Sequence, residues 1–474
     1  MIRGTVWNAF GIWSQKALGL IAAIFLARLL TPKDFAIAGL AGAAMGIFRI
    51  LIAHGFGYAI VQRKELDDIS CHSIFWFLSL AGLALGGTVV LLAPLVAKFY
   101  NSYALVVVIR VLSLSLIIGM ISIVPRSLLQ RAMRFREINF LAVLGSGIGA
   151  LLGVGIALLG YGYWALIVPG LGASLFTSIF AFRISGYWPK LAFEWMEIKR
   201  ASNFGFLLTL SGLLYYLARN VDYLIMGRFW SKAVFGQYYF AFEMHAKPSR
   251  MIIRQISNVL VPGFSRVQND LSRFRRGFLR ATHDLCMIVY PIHVLLIGLT
   301  DPLIPWIFGD QWRQSVPVFR IFFLHALLVI PVTLSSNVRI ALNRPKVTLF
   351  FSVLIVSVTL PTMLLLGKIG ADISEVATCL LFIGVLIFPL DLGYSLRLMH
   401  MSWKEMWCYL RGLVGITILM ALSLVACRVI AYVFGWPTWL MVMMATLLPS
   451  GVYLFLTRHL IAGLFKKIRS ALVK

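Results

Sequence analysis

The sequence has little charge of either sign, and acidic residues are especially scarce. Only 13% of its 474 residues are charged, whereas a soluble domain has about 25%. Sixty per cent of the residues are hydrophobic, and the mean hydropathy is +0.90. This composition excludes an ordinary soluble protein and indicates a polytopic helical membrane protein. No loop between the apolar segments is as long as a domain, so we predict that the protein is not an enzyme.

Cysteine and histidine are sparse, and neither shows the spacing of a metal site or a disulfide framework. The five cysteines are scattered at positions 71, 286, 379, 408 and 427, mostly within or beside apolar runs. The eight histidines show no ligand spacing either. We therefore predict no metal and no cofactor. No small-residue cleavage site follows the first apolar run, so we expect that run to be an uncleaved membrane span.

Apolar runs long enough to cross a bilayer recur along the whole chain. Because a helical span needs about 20 residues, they predict an all-α fold of about fourteen transmembrane helices. The predicted spans are 9–30, 36–60, 73–97, 103–124, 138–159, 162–182, 204–227, 233–262, 279–300, 315–336, 347–367, 373–396, 409–433 and 438–457.

The basic residues are distributed unequally between the two sides of this arrangement. The formal net charge is +26, which in a soluble protein would suggest a nucleic-acid partner. Here most basic residues lie in the loops of one side and in the two termini, so we predict no nucleic-acid partner. The positive-inside rule then places both termini in the cytoplasm.

Four sequence matches recur in the same order in the two halves of the chain. Arg28 and Phe35 match Arg228 and Phe235 at an offset of 200. The other matches are Pro94-Leu95 ahead of Arg110 with Pro302-Leu303 ahead of Arg320, and Arg-Ser-Leu-Leu-Gln-Arg from 126 with Arg-Ile-Ala-Leu-Asn-Arg from 339. The repeat predicts two pseudo-symmetric six-helix lobes, residues 1–200 and 201–400, around a central cavity. Residues 401–474 would add two C-terminal helices and a basic cytoplasmic tail.

A stripe of charged residues marks the predicted eighth span. Glu243, Lys247, Arg250 and Arg254 are separated by four, three and four residues, so they share one face of a helix. A basic residue at the bilayer centre costs about 3 kcal/mol. The stripe is therefore expected to face protein or water. The alternative is that this helix lies at the membrane edge and its charges snorkel to the surface.

Further charged residues lie on the first, second and seventh spans. They are Lys16, Arg49, and Arg219 with Asp222, the last two on one face with Ser211 and Tyr215. Under the repeat, Arg49 aligns within one residue of Arg250. Cations from both lobes would converge on one cavity that selects an anion, and arginine suits phosphate through bidentate bonds. The predicted substrate-binding residues are Lys16, Arg49, Arg219, Lys247, Arg250 and Arg254.

The few acidic residues of the spans have two interpretations. Asp222 and Glu243 are candidates for ion coupling. Alternatively, Arg219 with Asp222 and Glu243 with Lys247 form structural ion pairs that join helices. We also expect Asp391 to pair with Arg428. Glycines at 145, 149 and 153 predict close helix packing in the fifth span.

Two motifs and the fourteen-span plan carry a family resemblance that covers most of the chain. The turn Ala-Arg-Leu-Leu-Thr-Pro-Lys-Asp-Phe, residues 27–35, and the loop Leu-Leu-Gln-Arg-Ala-Met-Arg-Phe, residues 128–135, resemble those of Wzx-type polysaccharide flippases. These flippases are a branch of the multidrug/oligosaccharidyl-lipid/polysaccharide exporter superfamily, which includes exporters of colanic acid and other exopolysaccharides.

The resemblance implies a flippase of the bacterial inner membrane, with an undecaprenyl-diphosphate-linked oligosaccharide as its substrate and the lipid bilayer as its surroundings. It also implies alternating access, and a polysaccharide polymerase and chain-length regulator as partners. Two other functions remain open. A cation or drug antiporter of the same fold would need more acids in its spans. A polysaccharide polymerase or ligase would carry a sizeable periplasmic loop, and the repeat would be unexplained.

Overall fold

The computed structural model describes residues 2–53, 56–62, 66–202, 205–268 and 270–473. Within these ranges the side chains are described except at 2–13, 51–53, 58–59, 62, 200–202, 205–211, 215, 249–262, 265–266, 345 and 461–473. All regular elements of the described ranges are helices, as the apolar runs predict.

The helices follow one another with short connections. They are α1 (Ile2–Leu29), α2 (Pro32–Ala53), α3 (Phe56–Gln62), α4 (Asp68–Phe99), α5 (Ala104–Ile121), α6 (Ile123–Arg131), α7 (Phe135–Leu158), α8 (Trp164–Ser185), α9 (Trp195–Ser202), α10 (Gly205–Phe229), α11 (Lys232–Arg266), α12 (Leu271–Phe308), α13 (Val316–Ala341), α14 (Pro345–Ile369), α15 (Ile373–Leu398), α16 (Trp403–Val433) and α17 (Thr438–Val473). A 3₁₀ helix, Asp310–Ser315, precedes α13.

Ten of the described helical stretches are long and apolar enough to cross a membrane. They are Asp68–Phe99, Ala104–Arg131, Phe135–Leu158, Trp164–Ser185, Leu271–Phe308, Asp310–Ala341, Lys346–Ile369, Ile373–Leu398, Trp403–Val433 and Thr438–Leu460. The other four predicted spans coincide with α1, α2, α10 and α11, parts of which lie outside the described side chains. The protein is thus a multi-pass helical membrane protein, and the number fourteen stays a prediction.

The chain forms two compact units, Met1–Tyr239 and Phe240–Lys474, and the boundary between them falls inside α11. In the first unit, α4 packs on α5, α7 on both α1 and α8, and α2 on α10. In the second unit, α12 packs on α13 and α16, and α13 on α15. The six-helix lobes predicted at 1–200 and 201–400 stay predictions.

Close packing of α7 against α8 depends on glycine, as the four-residue spacing predicts. Gly145, Gly149 and Gly153 are buried on the face that meets α8. A Cβ atom on Gly153 would lie 3.0 Å from the backbone oxygen of Ala165, and one on Gly149 would lie 3.2 Å from that of Pro169. Side chains at these positions would therefore push the helices apart.

The two halves of the chain repeat the same turns. Leu30 donates its amide to the Leu26 carbonyl at the end of α1, and Trp230 donates to Met226 at the end of α10. This agrees with the sequence offset of 200. Farther along, the offset is 210: Met133 and Asn343 both have left-handed backbones, with φ of 55° and 54°. Gly160 and Gly370, with φ of 80° and 71°, form a second such pair.

The turns correct one of the four sequence matches. Arg134 donates its amide to the Leu129 carbonyl, and Arg344 donates to Arg339. These bonds align Leu129, rather than Arg126, with Arg339. The match between 126–131 and 339–344 at an offset of 213 was therefore wrong by three residues. A shift of three residues is nearly one helical turn, so the shifted alignment still compares residues on about the same face of the helix.

Candidate functional site

Three of the predicted cationic residues lie in the first compact unit, on the helices α1, α2 and α10. Lys16 is exposed on α1, beside Gln15, whose side chain donates to the Ala142 carbonyl on α7 at 3.4 Å. Arg49 on α2 and Arg219 on α10 are also exposed. Among the described residues, neither Lys16 nor Arg49 has an ion-pair partner. That these two charges bind an anionic substrate stays a prediction.

The α2–α10 contact sets the levels of Arg49 and Arg219 along their two helices. Tyr216 fits against Gly46, whose small size leaves room for the ring, and its hydroxyl donates to the Ala43 carbonyl at 2.7 Å. Gly212 of α10 faces Ile50 of α2 in the same way. The two helices therefore run antiparallel. Arg219 lies at about the level of Ala43, so it is separated from Arg49 by roughly 9 Å along the helix axis.

Asp222 is the buried acid of this region. Its side chain is 4% exposed and accepts a hydrogen bond of 2.6 Å from the Tyr238 hydroxyl on α11. A buried carboxylate needs such a donor, since desolvation without a hydrogen bond is costly. Tyr238 was missed in the sequence because it lies outside the charged stripe, although a buried tyrosine hydroxyl commonly pairs with a polar group.

The charged stripe of the predicted eighth span lies on α11, in the second compact unit. Glu243 and Lys247 are half-buried there. The side chains of Arg250 and Arg254 lie outside the described residues, as do those of Ser211 and Tyr215 on α10. The convergence of these cations with Lys16 and Arg49 stays a prediction.

The second unit contains a buried ion pair that corrects one expectation. Asp391 on α15 pairs with Arg339 on α13, with oxygen-to-nitrogen distances of 2.6 and 3.1 Å, and not with Arg428. Arg339 is only 2% exposed and also donates to Thr348 and Ser395. Side chains of the protein thus accept the hydrogen bonds that this guanidinium donates.

Arg428 pairs with a different acid. Asp301 on α12 lies 3.0 Å from Arg428 on α16 and accepts two hydrogen bonds of 2.6 Å from Arg320 on α13. Arg428 also donates to the Gly298 carbonyl at 2.7 Å. The sequence placed Asp301 at the edge of a span, where its pairing with two arginines could not be recognised.

Two arginines on described helices of the first half, Arg110 and Arg126, form no ion pair among the described residues. Arg110 of α5 aligns with Arg320 at the offset of 210, but residues 90–93 of α4, which align with the Asp301 region, are Val-Leu-Leu-Ala. Arg126, which the sequence placed in a loop, lies within the span Ala104–Arg131. It donates to the Thr177 hydroxyl at 2.8 Å.

One basic residue is used in a turn and is not available to a ligand. Lys232, at the start of α11, donates to the carbonyl oxygens of Tyr100 at 2.6 Å and Gly227 at 2.9 Å. Burial and the neighbouring positive charge of Arg228 lower the pKa of Lys232. This lysine joins the α10–α11 turn to the end of α4.

Two helical units with a repeated order of turns and ten apolar helices among the described residues define a multi-pass helical membrane protein. The fold is similar to the lipid II flippase MurJ in an inward closed conformation, with a TM-score of 0.75, 15% identity, and 96% of this chain and 100% of that chain covered. It is also similar to an inward-facing multidrug resistance MATE family transporter of the MOP superfamily, with a TM-score of 0.64, 14% identity, and coverage of 81% and 94%.

The chain belongs to the polysaccharide biosynthesis protein family, whose model matches residues 25–317. The predicted resemblance to Wzx-type flippases is thereby confirmed. Among curated relatives, the lipopolysaccharide biosynthesis protein WzxC of Escherichia coli K12 is 23% identical over 428 residues, covering 87% of this chain and 86% of WzxC. The succinoglycan biosynthesis transport protein ExoT of Rhizobium meliloti is 24% identical over 330 residues, covering 69% and 67%. The family and the similar structures are transporters and flippases rather than enzymes.

Proposed function

We propose that this protein moves an undecaprenyl-diphosphate-linked oligosaccharide from the inner to the outer leaflet of a bacterial plasma membrane. Both termini lie in the cytoplasm, and the product supplies exopolysaccharide, capsule or O-antigen synthesis. The observation that carries the proposal is that Lys16 and Arg49 are exposed and have no acidic partner among the described residues. The chain that carries them belongs to the polysaccharide biosynthesis protein family.

The chemistry of the substrate explains why such cations are needed. A diphosphate carries charge that cannot be moved through hydrocarbon without a compensating environment. Arginine supplies a planar fork that binds two phosphate oxygens, and lysine supplies a compact point charge. The isoprenoid tail can remain in lipid while the charged head moves past these groups.

The central cavity predicted for the lobes 1–200 and 201–400 would open alternately to the two sides of the membrane. Arg219 of α10, with Lys247, Arg250 and Arg254 of α11, all in the predicted second lobe, would complete the cationic path. A polysaccharide polymerase and a chain-length regulator would receive the product on the outer side. Transporters of related fold commonly bind their substrates between such halves.

Export measurements with charge-removing variants test the proposal. Lys16→Gln and Arg49→Gln should each lower polymer export in a complemented deletion strain, with the protein still inserted in the membrane. Loss of one charge-assisted hydrogen bond costs about 1.5–3 kcal/mol, which corresponds to roughly tenfold to a hundredfold weaker binding. Arg134→Gln is the control, because Arg134 is an exposed residue paired with Glu137. Wild-type export from both charge-removing variants would refute the proposed role of the cations.

We further propose Asp222 for ion coupling, with Glu243 as the second candidate. Asp222 is buried and has a hydroxyl donor, an arrangement that can hold or release a cation or proton. Asp222→Asn should leave the protein folded but make flipping in proteoliposomes independent of an imposed Na⁺ or H⁺ gradient. The matched control is Tyr238→Phe, which keeps the carboxylate. Unchanged gradient dependence in Asp222→Asn would exclude this residue.

A further inference from the structure

A cavity of about 420 Å³ lies between the first turns of α12 and the first turns of α16. Its polar lining consists of Arg275, Arg276 and Glu405, and its other walls include Leu279, Cys408 and Tyr409. We call it the α12–α16 pocket. Its volume is within the range of roughly 300–1,000 Å³ of small-molecule sites. All of its walls belong to the second compact unit.

The pocket has positive charge that the protein does not neutralise. Arg275 is held by a hydrogen bond from its Nε to the Met399 carbonyl, which leaves its two terminal nitrogens for another partner. Arg276 is exposed. Neither arginine forms an ion pair with a carboxylate of the described residues.

Glu405, the one acid among the described lining residues, has a structural role at the start of α16. Glu405 is the N3 residue of a capping box at the start of α16, where its carboxylate accepts the Ser402 amide. Ser402 in turn accepts the Glu405 amide at 3.1 Å. This reciprocal arrangement fixes the α16 end of the pocket. The two guanidinium groups exceed the Glu405 carboxylate by one positive charge, so the described lining favours an anion.

The helices place the pocket at the depth of the lipid headgroups. After Arg280 and Asp284, residues 285–300 of α12 contain no arginine, lysine, aspartate or glutamate, and neither do residues 412–427 of α16. The hydrocarbon layer, about 30 Å thick, therefore begins beyond the pocket on both helices. Trp403 and Trp407, which are 51% and 58% exposed, flank it on α16. Exposed tryptophans are typical of the boundary between headgroups and acyl chains.

We propose that the α12–α16 pocket binds an anionic phospholipid of the surrounding bilayer, with Arg275 and Arg276 on its phosphate. The apolar side chains of Leu279 and Tyr409 contact the first part of an acyl chain. Basic pockets between transmembrane helices on the cytoplasmic side are suited to acidic lipid headgroups. A zwitterionic lipid fits less well, since its own ammonium group compensates its phosphate. This site is separate from the proposed flipping pathway and does not depend on it.

The chain supplies a reporter for this site in Cys408, an exposed thiol in the pocket wall. Cys71, Cys286 and Cys427 are buried and Cys379 is half-buried. In a Cys379→Ser background, the rate at which uncharged N-ethylmaleimide alkylates the full-length protein therefore measures access to the pocket. The protein is reconstituted either in phosphatidylcholine vesicles or in equal parts phosphatidylcholine and phosphatidylglycerol.

We expect phosphatidylglycerol to slow alkylation of Cys408 several-fold, and Arg276→Gln to abolish this protection. Arg280→Gln is the matched control: it removes an exposed arginine of the same helix that does not line the pocket, and protection should persist. The same vesicles are used for all variants, so the surface charge of the membrane is constant. Arg275→Gln should act in the same way, but it also loses the bond to Met399, so the test depends on Arg276→Gln.

Three results would overturn the proposal. The first is equal alkylation of the wild-type residue in the two kinds of vesicle. The second is protection that survives in Arg276→Gln, which would indicate a general effect of the anionic surface. The third is protection by undecaprenyl diphosphate in phosphatidylcholine vesicles without any protection by phosphatidylglycerol, which would make the pocket part of a substrate site.

Discussion

At the scale of single residues, Asp391 and Asp301 place arginines of the second unit in very different environments. Arg339 and Asp391 are buried together. By contrast, the side chains of Arg320, Arg428 and Asp301 are 46%, 35% and 41% exposed. A buried charge depends on its partner because water cannot replace it. The exposed cluster is screened and contributes less.

Replacing Asp391 by Leu should therefore destabilise the protein strongly. The change leaves the Arg339 guanidinium buried without its carboxylate, which costs about 3–5 kcal/mol. Thermal unfolding of the purified protein in detergent measures the loss. Asp310→Ala, which removes the exposed partner of Arg313, is the control and should cost no more than about 1 kcal/mol. An Asp391→Leu protein that unfolds at the wild-type temperature would contradict a structural role for the pair.

The sequence identified the ionisable residues of the spans but assigned only some of their partners. The expected Asp391–Arg428 pair was wrong, since Asp391 pairs with Arg339 and Arg428 with Asp301. The actual partners depend on which helices meet and at what depth. Likewise, Tyr238 could be recognised as a polar group in an apolar helix, but its bond to Asp222 requires that α10 and α11 pack together.

At the scale of elements, the α7–α8 pair shows how a sequence spacing becomes a packing surface. The three glycines at intervals of four form one narrow stripe, and the backbone of α8 lies directly against it. Gly147 and Gly155 lie on α7 as well, but a Cβ atom on either would meet nothing within 4 Å. The same helix thus contains glycines that are required for packing and glycines that are not.

A pair of leucine substitutions on α7 tests this distinction. Gly153→Leu should lower the free energy of unfolding by about 1–3 kcal/mol or more, because the side chain collides with the Ala165 carbonyl. Gly155→Leu should be neutral or stabilising by up to about 1 kcal/mol, since leucine favours the helix over glycine. Both are measured by thermal unfolding in the same detergent. Similar losses in the two variants would show that the stripe does not determine the packing.

At the scale of the whole molecule, the distribution of basic residues among the loops predicts the orientation in the membrane. This orientation can be measured directly. Single cysteines at Tyr103 and Tyr432, each 88% exposed, should react with a membrane-impermeant maleimide added to intact spheroplasts. Cysteines at Met133 and Trp188, 70% and 68% exposed, should react only after permeabilisation. Serine replaces Cys379 and Cys408 in all variants. Labelling of a cysteine at position 133 or 188 in sealed spheroplasts would contradict the predicted orientation.

The proposed lipid site and the proposed flippase pathway use different parts of this molecule. The pathway depends on Lys16 and Arg49 in the first unit and on α11, whereas the α12–α16 pocket involves a helix that stands outside the repeat. A lipid bound there would stabilise α16 against α12 whatever substrate is transported. The two proposals can therefore fail independently.

The sequence by itself determined the all-helical membrane class, ten of the helical spans and the family, because hydropathy and turn chemistry are properties of short stretches of chain. It also selected Lys16 and Arg49, since a lone cation in an apolar run is costly wherever that run lies in a membrane. Only the tertiary structure decided that Asp391 neutralises Arg339, that Leu129 aligns with Arg339, and that two arginines of α12 face the start of α16. Those facts depend on the rotation and depth at which separate helices pack, and neighbours distant in sequence fix both.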